Sequence, residues 1–341
     1  MDNVKGVVKV RTKILSILRE NGSDPVSGEE IATRLKISRT AIWKHIQILK
    51  KEGYSIEALP KKGYVLTHVP DKMLPSEIDS KLKTKWLGRQ INYAQSVIST
   101  NEMAKALANA GCDNGVVCVA EEQSGGKGRL ARGWFSPAGD GLWFSVILKP
   151  PFMPDEAAKC TLLAAVAVVR TVNEYKGINA VIKWPNDILL EGKKLVGILT
   201  EMSAEFGHIN YIVIGIGINV CVPKSKVPED LRASAISMAD VSKQKINRVG
   251  LLASVLKNLE ELYEIVLADG FAPILAMWRQ YSATIGKEVK VIAPDMTYTG
   301  RALDIDEDGL LLVDRGNGVI EKVIAGDVSI RPVQAKRSKY E

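Results

Sequence analysis

The sequence has few of the residues from which proteins build metal centres and disulfide frameworks. Its 341 residues include four cysteines and three histidines. No CxxC pair occurs, and the histidines lie far from the cysteines along the chain; these residues are Cys112, Cys118, Cys160 and Cys221, and His45, His68 and His208. We therefore expect neither a protein-held zinc site nor a disulfide framework. Each cysteine has small apolar neighbours, which predicts buried free thiols.

Long hydrophobic runs are also lacking. The longest, residues 162–169, falls well short of the ~20 apolar residues that a transmembrane helix needs. The N-terminus has no secretory signal pattern. Aromatic residues make up only 6% of the chain, but hydrophobic residues make up 46%, which is enough for a sizeable core. The sequence therefore predicts a cytoplasmic globular protein that does not bind a membrane.

The net charge of +7 is concentrated at the two ends of the chain. Residues 1–68 have nine lysines and four arginines against seven acidic residues, a net charge of +6. The last eleven residues contribute +3, which leaves −2 for residues 69–330. Clustered positive charge is typical of nucleic-acid-binding segments, so we expect the N-terminal part to contact DNA.

Residues 1–68 have the pattern of a winged helix-turn-helix domain. Apolar residues recur at helical spacing in three successive segments, and Ser27 and Ser38 are suitable N-caps for the second and third. A short turn separates these two helices, and residues 54–66 predict a β-hairpin wing. The third helix has five positions not needed for a core and able to reach bases or phosphates: Arg39, Thr40, Trp43, Lys44 and Gln47.

Two alternatives remain for this segment. It could be a small protein-interaction domain with a solvated basic face. Within the DNA-binding interpretation, Trp43 is bulkier than the usual groove residue, and its alternative position is against the wing.

A two-proline connector, residues 69–76, follows the first segment, and a helix near residues 76–82 is expected to open a central domain. There, Ser99-Thr100-Asn101-Glu102 predicts a capping box at the start of another helix.

A glycine-rich basic loop connects two apolar segments, residues 116–120 and 142–148. It has four glycines between Gly125 and Gly133, together with Lys127, Arg129 and Arg132. Glycine permits unusual backbone angles and lets N–H groups approach an anion, and the basic side chains add positive charge. The loop therefore predicts polyphosphate binding. It is not a Walker loop, because GxxxxGK[ST] is absent and a strand follows; a mobile surface hairpin is the alternative.

A second motif identifies the chemistry. Lys183-Trp184-Pro185-Asn186-Asp187 and the hairpin after it resemble the KWPND strand and hairpin of biotin protein ligases. The glycine-rich loop is similar to that family's GRGRRGR biotinyl-adenylate loop. Both motifs occur in this order after a DNA-binding segment, so the chain resembles the bifunctional kind, which is both biotin ligase and biotin operon repressor. The resemblance covers nearly the whole chain.

The resemblance implies a two-step reaction. Biotin and ATP give biotinyl-5′-AMP and pyrophosphate, and a lysine of the biotin carboxyl carrier protein then receives the biotinyl group. The first step joins two anions and needs cations, for which we expect Lys183, Arg129 and Lys127. Mg²⁺ should enter with ATP, because the sequence shows no dedicated carboxylate cage and no other metal site.

The resemblance also implies binding residues. Those for biotin are Ser99, Thr100, Asn101, Gln123, Lys127, Gly128, Arg129, Lys183 and Gly215. Those for ATP or the adenylate are Arg132, Trp134, Asp187 and Asn219. Trp134 is expected to pack on adenine or on a neighbouring loop. For Asp187, metal binding, orientation of Lys183 and a purely structural turn all remain open.

This loop departs from GRGRRGR at Lys127, Leu130 and Ala131. Lysine keeps the charge of arginine but loses its bidentate fork, so retained activity is expected. Ala131 replaces a glycine and would be disfavoured if that position requires a positive φ. Two other functions remain open: a lipoate or octanoate protein ligase on the same fold, and a non-catalytic biotin-sensing repressor.

The pattern changes after Ile285 to short alternating strands, which predict a small SH3-like β-barrel followed by a disordered tail from Ala335. The predicted fold class is α+β. It comprises a winged helix-turn-helix at residues 1–68, a class II synthetase-like mixed sheet with helices at 77–283, and the barrel at 284–334. Expected partners are the carrier domain, operator DNA and a second copy in a ligand-promoted homodimer.

Overall fold

The computed structural model describes residues 2–292, 297–316, 318–324 and 329–332. The chain divides into two compact units, residues 1–83 and 84–341. No helix in the described ranges is long and apolar enough to cross a membrane.

The first unit is a helix-turn-helix with a β-hairpin. Its elements are α1 (Asp2–Glu20), α2 (Gly28–Leu35), α3 (Arg39–Glu52), β1 (Ser55–Leu59), β2 (Gly63–His68) and α4 (Pro75–Lys81). The Ser27 hydroxyl accepts a hydrogen bond from the Glu30 N–H at 3.0 Å, and the Ser38 hydroxyl accepts one from the Ala41 N–H at 3.2 Å. These caps begin α2 and α3 where the sequence predicts. Strands β1 and β2 pair antiparallel, so the predicted wing is confirmed.

The core of this unit consists of aliphatic side chains spaced at helical intervals. Ile42, Ile46 and Leu49 lie on the inner face of α3 and are fully buried, as is Ile31 of α2. This arrangement leaves the opposite face of α3 available for contacts with other molecules.

The sequence had led us to expect that the helix near residues 76–82 opens the central domain. Helix α4 belongs instead to the first unit. It packs against α1. The Glu77 carboxylate accepts two hydrogen bonds from Arg19, at 2.6 and 2.7 Å, and another from the Tyr54 hydroxyl. A paired and nearly buried carboxylate is strongly tied to its partners, so residues 75–81 are part of the N-terminal unit.

The second unit is organised around a seven-stranded mixed sheet with the order β3-β4-β5-β9-β8-β7-β6. The strands and helices of this region are β3 (Ile91–Val97), α5 (Thr100–Asn109), β4 (Val117–Gln123), β5 (Gly141–Leu148), α6 (Lys159–Asn173), β6 (Val181–Lys183), β7 (Asp187–Leu190), β8 (Lys193–Glu205), β9 (His208–Asn219), α7 (Met238–Val241), α8 (Arg248–Asp269) and α9 (Ala272–Tyr281). Strands β3 and β4 are parallel, and the other neighbours are antiparallel. The predicted mixed sheet with helices is confirmed.

Strand β5 lies inside this sheet, between β4 and β9, and all its residues are buried. Helix α5 packs on strands β4, β5 and β9, while α6 packs against α8 and α9.

Cys160 on α6 is fully buried, and this burial raises the pKa of its thiol to about 12. Cys112 and Cys118 are also buried, but Cys221 is exposed, so the expectation of a buried thiol is wrong there.

The C-terminal strands form a small antiparallel sheet with the order β13-β12-β11-β10-β14. They are β10 (Glu288–Ile292), β11 (Thr297–Ile305), β12 (Leu311–Asp314), β13 (Ile320–Val323) and β14 (Ser329–Pro332). The predicted run of short strands is therefore confirmed, whereas closure into an SH3-like barrel stays a prediction. The predicted tail from Ala335 lies outside the described residues.

Candidate functional site

A cavity of about 880 Å³ lies in the second unit, over strands β8 and β9. Its walls come from the start of α5, the glycine-rich loop after β4, the β6–β7 turn and a segment before α7. Every residue that the sequence suggested for biotin or nucleotide binding lines this cavity: Ser99, Thr100, Asn101, Gln123, Lys127, Gly128, Arg129, Arg132, Trp134, Lys183, Asp187, Gly215 and Asn219. The fold thus brings together residues that are up to 120 positions apart in sequence, from Ser99 to Asn219.

One end of the cavity is formed by buried polar side chains. Ser99, Thr100 and Asn101 are each at most 5% exposed. The backbone N–H of Thr100 donates to Gln123 Oε1 at 2.8 Å, and the Thr100 hydroxyl lies 3.1 Å from the same oxygen. Gln123 Nε2 donates in turn to the Ser136 hydroxyl at 2.8 Å. The side chains at this end are therefore held in fixed orientations before any ligand binds.

The predicted capping box at the start of α5 is only half present. The Ser99 hydroxyl accepts from the Asn101 N–H at 3.2 Å and so caps the helix. The Glu102 carboxylate does not complete the box but pairs outward with Lys105 at 2.9 Å and with Lys127 at 3.5 Å. Hydrogen bonding to Lys105 is the main reason why the pKa of Glu102 lies below its ordinary value.

Two side chains behind this end escaped the sequence analysis. Ser145 on β5 is fully buried, and its hydroxyl lies 2.6 Å from Asn101 Oδ1 and 2.7 Å from Thr100 Oγ1. Glu201 on β8 accepts a hydrogen bond from Asn101 Nδ2 at 2.7 Å and one from Lys105 at 2.9 Å. Both lie in the middle of strands with no motif around them, so only the sheet register could have indicated their positions.

Gly215 contributes to this end by leaving space. A Cβ atom at that position would collide with the amide of Asn101. Glycine is therefore required on β9 so that the Asn101 side chain can lie against the strand. Gly215 therefore both lines the cavity and allows the Asn101 amide to pack closely on the backbone of β9.

The other end of the cavity is cationic. Lys183 ends strand β6 and is half-buried, and Lys127 and Arg129 belong to the glycine-rich loop. Arg129 donates to Asn186 Oδ1 at 3.2 Å, whereas the Lys127 side chain is 56% exposed. The three cations converge on one space from a rigid strand and from a loop, and this arrangement suits an anionic ligand.

The backbone of the glycine-rich loop differs from our expectation. None of its four glycines, all of which the structure describes, has a positive φ. Gly126 is needed for close approach, because a Cβ there would lie 2.7 Å from the Trp134 carbonyl oxygen. The left-handed residue is Leu130, with φ 55° and ψ 36°, and not the neighbouring Ala131. The expected strain therefore falls one position earlier, on a side chain that is 59% exposed.

The KWPND segment is anchored by its tryptophan and asparagine. Trp184 is buried, its indole N–H donates to the Gly309 carbonyl at 2.9 Å, and its backbone N–H donates to the Thr284 hydroxyl at 3.0 Å. Asn186 Nδ2 donates to the Ile198 carbonyl at 2.8 Å. These bonds fix the turn between β6 and β7 and thereby fix the base of Lys183.

Asp187 pairs with a lysine that the sequence analysis missed. Its carboxylate lies 2.6 Å from Lys194 Nζ, which comes from the neighbouring strand β8. The same ammonium lies 5.2 Å from the ring centroid of Trp134, a cation–π arrangement. Trp134 lies directly on the glycine backbone of the sheet, since a Cβ on Gly197 would come within 2.9 Å of its ring. The Asp187 partner is thus Lys194, and the tryptophan packs on strands β8 and β9.

Asn219 connects β9 to the segment that covers this end. Its side-chain amide donates to the Ile236 carbonyl at 3.2 Å. The backbone of Lys194 also exchanges hydrogen bonds with this segment, donating to Ser234 and accepting from Ile236. Among the residues that the structure describes, no group of three His, Cys, Asp or Glu side chains could hold a metal ion.

The candidate nucleic-acid surface of the first unit is the outer face of α3. Arg39, Thr40, Trp43 and Lys44 are exposed, and Gln47 is half-buried. Trp43 is 53% exposed, so about half of its surface is available for contacts with other molecules. A basic helix face with an exposed indole matches the chemistry of a recognition helix.

Comparisons with known proteins give matches for the N-terminal helix-turn-helix and for the part of the chain that forms the cavity. Residues 10–65 match the family described as HTH domain, residues 93–219 match the Biotin/lipoate A/B protein ligase family, and residues 284–331 match the Biotin protein ligase C terminal domain. The second of these matches covers the cavity motifs from Ser99 to Asn219.

Whole-chain relatives extend the match. The Bifunctional ligase/repressor BirA of Bacillus subtilis is 40% identical over 94% of this chain and 98% of its own length, and that of Escherichia coli is 30% identical over 90% and 94%. The structure of Biotin protein ligase from Aquifex aeolicus in complex with biotin and ATP superposes with a TM-score of 0.62, at 28% identity over 72% of this chain and 99% of that one. This chain belongs to the biotin protein ligase family and has the segments of its bifunctional ligase/repressor members.

Proposed function

We propose that this protein is an ATP-dependent biotin protein ligase that also acts as a biotinyl-AMP-responsive repressor of transcription. The observation that carries the proposal is the single cavity with a neutral, hydrogen-bonded end and a cationic end. Biotin has matching parts: a polar ureido ring that needs fixed hydrogen-bonding groups, and a carboxylate that must meet the α-phosphate of ATP. The carboxylate attacks that phosphate, biotinyl-5′-AMP forms, and pyrophosphate leaves.

The residues of the cavity divide between these two tasks. Ser99, Thr100, Asn101 and Gln123 hold the ureido ring. Lys183 extends from a fixed strand end and stabilises the charge that develops between carboxylate and phosphate, and Lys127 and Arg129 close over the same region from the loop. Gly128 and Gly215 complete the wall around biotin, and Gly215 does so by leaving room for the Asn101 amide.

The nucleotide occupies the space around the remaining residues. Trp134 presents a ring face beside Lys194, where adenine can stack, and Arg132 and Asn219 lie within the same wall. Mg²⁺ enters with ATP, bound by phosphate oxygens and water. The second step transfers the biotinyl group from the adenylate to the ε-amine of a lysine on a biotin carboxyl carrier domain, and AMP leaves.

Pyrophosphate release is the experiment that tests the enzyme. Purified protein with ATP and Mg²⁺ is expected to release pyrophosphate when biotin is added, and to label a biotin carboxyl carrier domain afterwards. Lipoate in place of biotin separates the two ligase types, because a lipoate ligase would respond to lipoate alone. A non-catalytic biotin-sensing repressor would release no pyrophosphate with either acid.

The repressor function rests on the first unit. We place Arg39, Thr40, Trp43, Lys44 and Gln47 of α3 in the major groove of operator DNA. One winged helix reads one half-site and binds weakly, so repression requires a homodimer on a palindromic operator. A protein with these partners works in the cytoplasm, where DNA, ATP and carrier proteins are found.

We further propose that ligand binding controls this dimer. Loops 122–134 and 223–237 border the cavity, and closing them over biotinyl-AMP would favour dimerisation by a coupling of about 1 to 3 kcal/mol. The carrier domain would compete for the same face. Sedimentation and operator binding with and without a non-hydrolysable adenylate analogue test the switch; an unchanged monomer–dimer equilibrium with unchanged DNA affinity would refute it.

A further inference from the structure

The buried polar end of the cavity has a hydrogen-bond network whose direction can be worked out from its atoms. The starting point is Asn101. Its Nδ2 atom lies 2.7 Å from a Glu201 oxygen and 3.3 Å from the Leu199 carbonyl, both of which can only accept. The amide nitrogen must therefore face Glu201, and Oδ1 must face Ser145.

The direction of the next two bonds follows from the number of hydrogens. Asn101 Oδ1 cannot donate, so the 2.6 Å contact requires the hydroxyl hydrogen of Ser145. Ser145 then has no hydrogen left for Thr100, and the 2.7 Å contact between these two hydroxyls requires the hydrogen of Thr100. Two oxygens at 2.7 Å without a hydrogen between them would repel each other.

The Thr100 hydroxyl has a second acceptor within hydrogen-bond distance. The Thr100 hydroxyl could donate to Gln123 Oε1 at 3.1 Å. That oxygen already receives the backbone N–H of Thr100 at 2.8 Å, and the choice would leave the shorter Ser145 contact without a hydrogen. The Thr100 hydroxyl therefore donates to Ser145 at 2.7 Å and not to Gln123 at 3.1 Å. Thr100 Oγ1 consequently faces the cavity with lone pairs only.

We infer that Glu201 and Ser145 are positioning residues that set Thr100 as an obligate acceptor, so that the site selects a ligand with an N–H group at this position. The inference rests on the proposed biotin site and specifies how that site recognises a cyclic urea. Lys105 holds the Glu201 carboxylate in place through its 2.9 Å contact. The Glu201 carboxylate fixes Asn101, Asn101 fixes Ser145, and Ser145 takes the hydrogen of Thr100.

The neighbouring serine has the opposite character. The Ser99 hydroxyl accepts the Asn101 N–H at 3.2 Å, which leaves its own hydrogen to donate into the cavity. A donor and an acceptor side by side match the C=O and the adjacent N–H of a urea. A ligand with an ether or carbamate oxygen in place of that N–H would bring two acceptors together at Thr100.

The test compares biotin with the two cyclic carbamates in which one or the other ureido N–H is replaced by oxygen. Calorimetry without ATP gives dissociation constants for the wild type, Ser145→Ala and Glu201→Gln. For one of the two carbamates, we expect the wild type to prefer biotin by roughly a hundredfold, because a buried polar pair is left unsatisfied. In Ser145→Ala, the Thr100 hydroxyl can turn and donate to the ring oxygen, so the preference should fall by about tenfold or more.

Glu201→Gln provides an independent variant, because this side chain is partly exposed and its replacement is nearly isosteric. Lys105 retains the glutamine oxygen, and the glutamine nitrogen then opposes Asn101 Nδ2, so the preference should fall here as well. Glu205→Gln on the same strand is the matched control and should keep the full preference. Equal weakening of biotin and both carbamates in the variants, or an unchanged preference, would overturn the inference. If the wild type does not bind biotin, the proposed function itself fails.

Discussion

The two ends of the cavity are built in different ways. At the polar end, the ligand-facing groups lie on a helix start and on strands, are almost inaccessible to water, and are hydrogen-bonded to one another. At the cationic end, two of the three cations lie on a loop, and the Lys127 side chain pairs with an exposed carboxylate, Glu102. In the proposed complex, rigid neutral groups would face the ureido ring of biotin, and adjustable charges would face the phosphate.

This difference indicates how the two ends contribute to the reaction. Preorganised hydrogen bonds are made equally in the ground state and the transition state, so they contribute to the affinity for biotin. Charges directed at the carboxylate and the α-phosphate act most strongly where charge develops, so they contribute to the rate. Variants at the two ends should therefore separate into KM and kcat effects.

The largest effect is expected at the cationic end. Lys183→Met should reduce adenylate formation by about a hundredfold to a thousandfold, because it removes the charge nearest the transition state and little packing. Biotin affinity should change by less than about threefold, since the polar end is untouched. Pyrophosphate release and calorimetry measure the two quantities. Lys176→Met, an exposed lysine outside the cavity, is the control, and near-normal turnover in Lys183→Met would move the chemistry to another group.

The next effect is expected at the polar end and should have the opposite pattern. Thr100→Val keeps the shape of the side chain but removes its hydroxyl, so the Ser145 oxygen loses a donor and the ligand N–H loses its acceptor. We expect KM for biotin to rise by roughly ten- to a hundredfold with kcat changed by less than about threefold. Steady-state kinetics at saturating ATP measures both constants. A fall in kcat without a rise in KM would show that the two ends do not divide the work.

The predictability of the two ends also differs, in a way that the residues explain. Lys127, Arg129 and Lys183 can be found from the sequence because each belongs to a local motif. Ser145 and Glu201 could not be found, because their contacts depend on the register of β5 and β8 against α5. Each is an ordinary residue within its own strand, and its position relative to Asn101 is a long-range property.

Fold boundaries show the same limit. The helices of the first unit, the wing and the positions of the strands along the chain follow from periodicity and turn residues, and these agree with the structure. The unit to which α4 belongs does not follow, because it is decided by the contact of Glu77 with Arg19 and Tyr54. Likewise, the loop motif did not indicate the left-handed backbone of Leu130, because the sequence raised a positive φ only for Ala131, which replaces a glycine of the family motif.

A smaller effect is expected where the two ends meet the nucleotide. Lys194→Met removes the partner of Asp187 and the cation beside Trp134, so both groups lose a fixed neighbour. We expect KM for ATP to rise by about three- to tenfold and KM for biotin to stay unchanged. Lys193→Met makes the same charge change one residue earlier, outside the cavity wall. Equal kinetics of the two variants would remove Lys194 from the nucleotide site.

The smallest effect concerns the exposed pair of Glu102 with Lys127, which competes with the ligand. Phosphate oxygens must draw Lys127 away from this carboxylate, so Glu102→Gln should lower KM for ATP, by about two- to threefold, because exposed ion pairs contribute little. The change should be larger at low ionic strength and should disappear as salt screens it. Glu261→Gln is the control, since it breaks another exposed 3.5 Å pair, with Lys257, away from the cavity.

The pH dependence of this last variant gives a second measurement. Lys105 holds the pKa of Glu102 below its ordinary value, so the carboxylate stays charged as the pH falls through the usual range of a glutamate. Competition for Lys127 is therefore present above that lowered pKa and is lost only below it. The ratio of ATP KM values, wild type over Glu102→Gln, should stay constant near neutral pH and approach one only in acid. An unchanged KM in Glu102→Gln would refute this competition, and a higher KM would mean that Glu102 presents Lys127 to the phosphate, so that the loop cations would be as preorganised as the polar end.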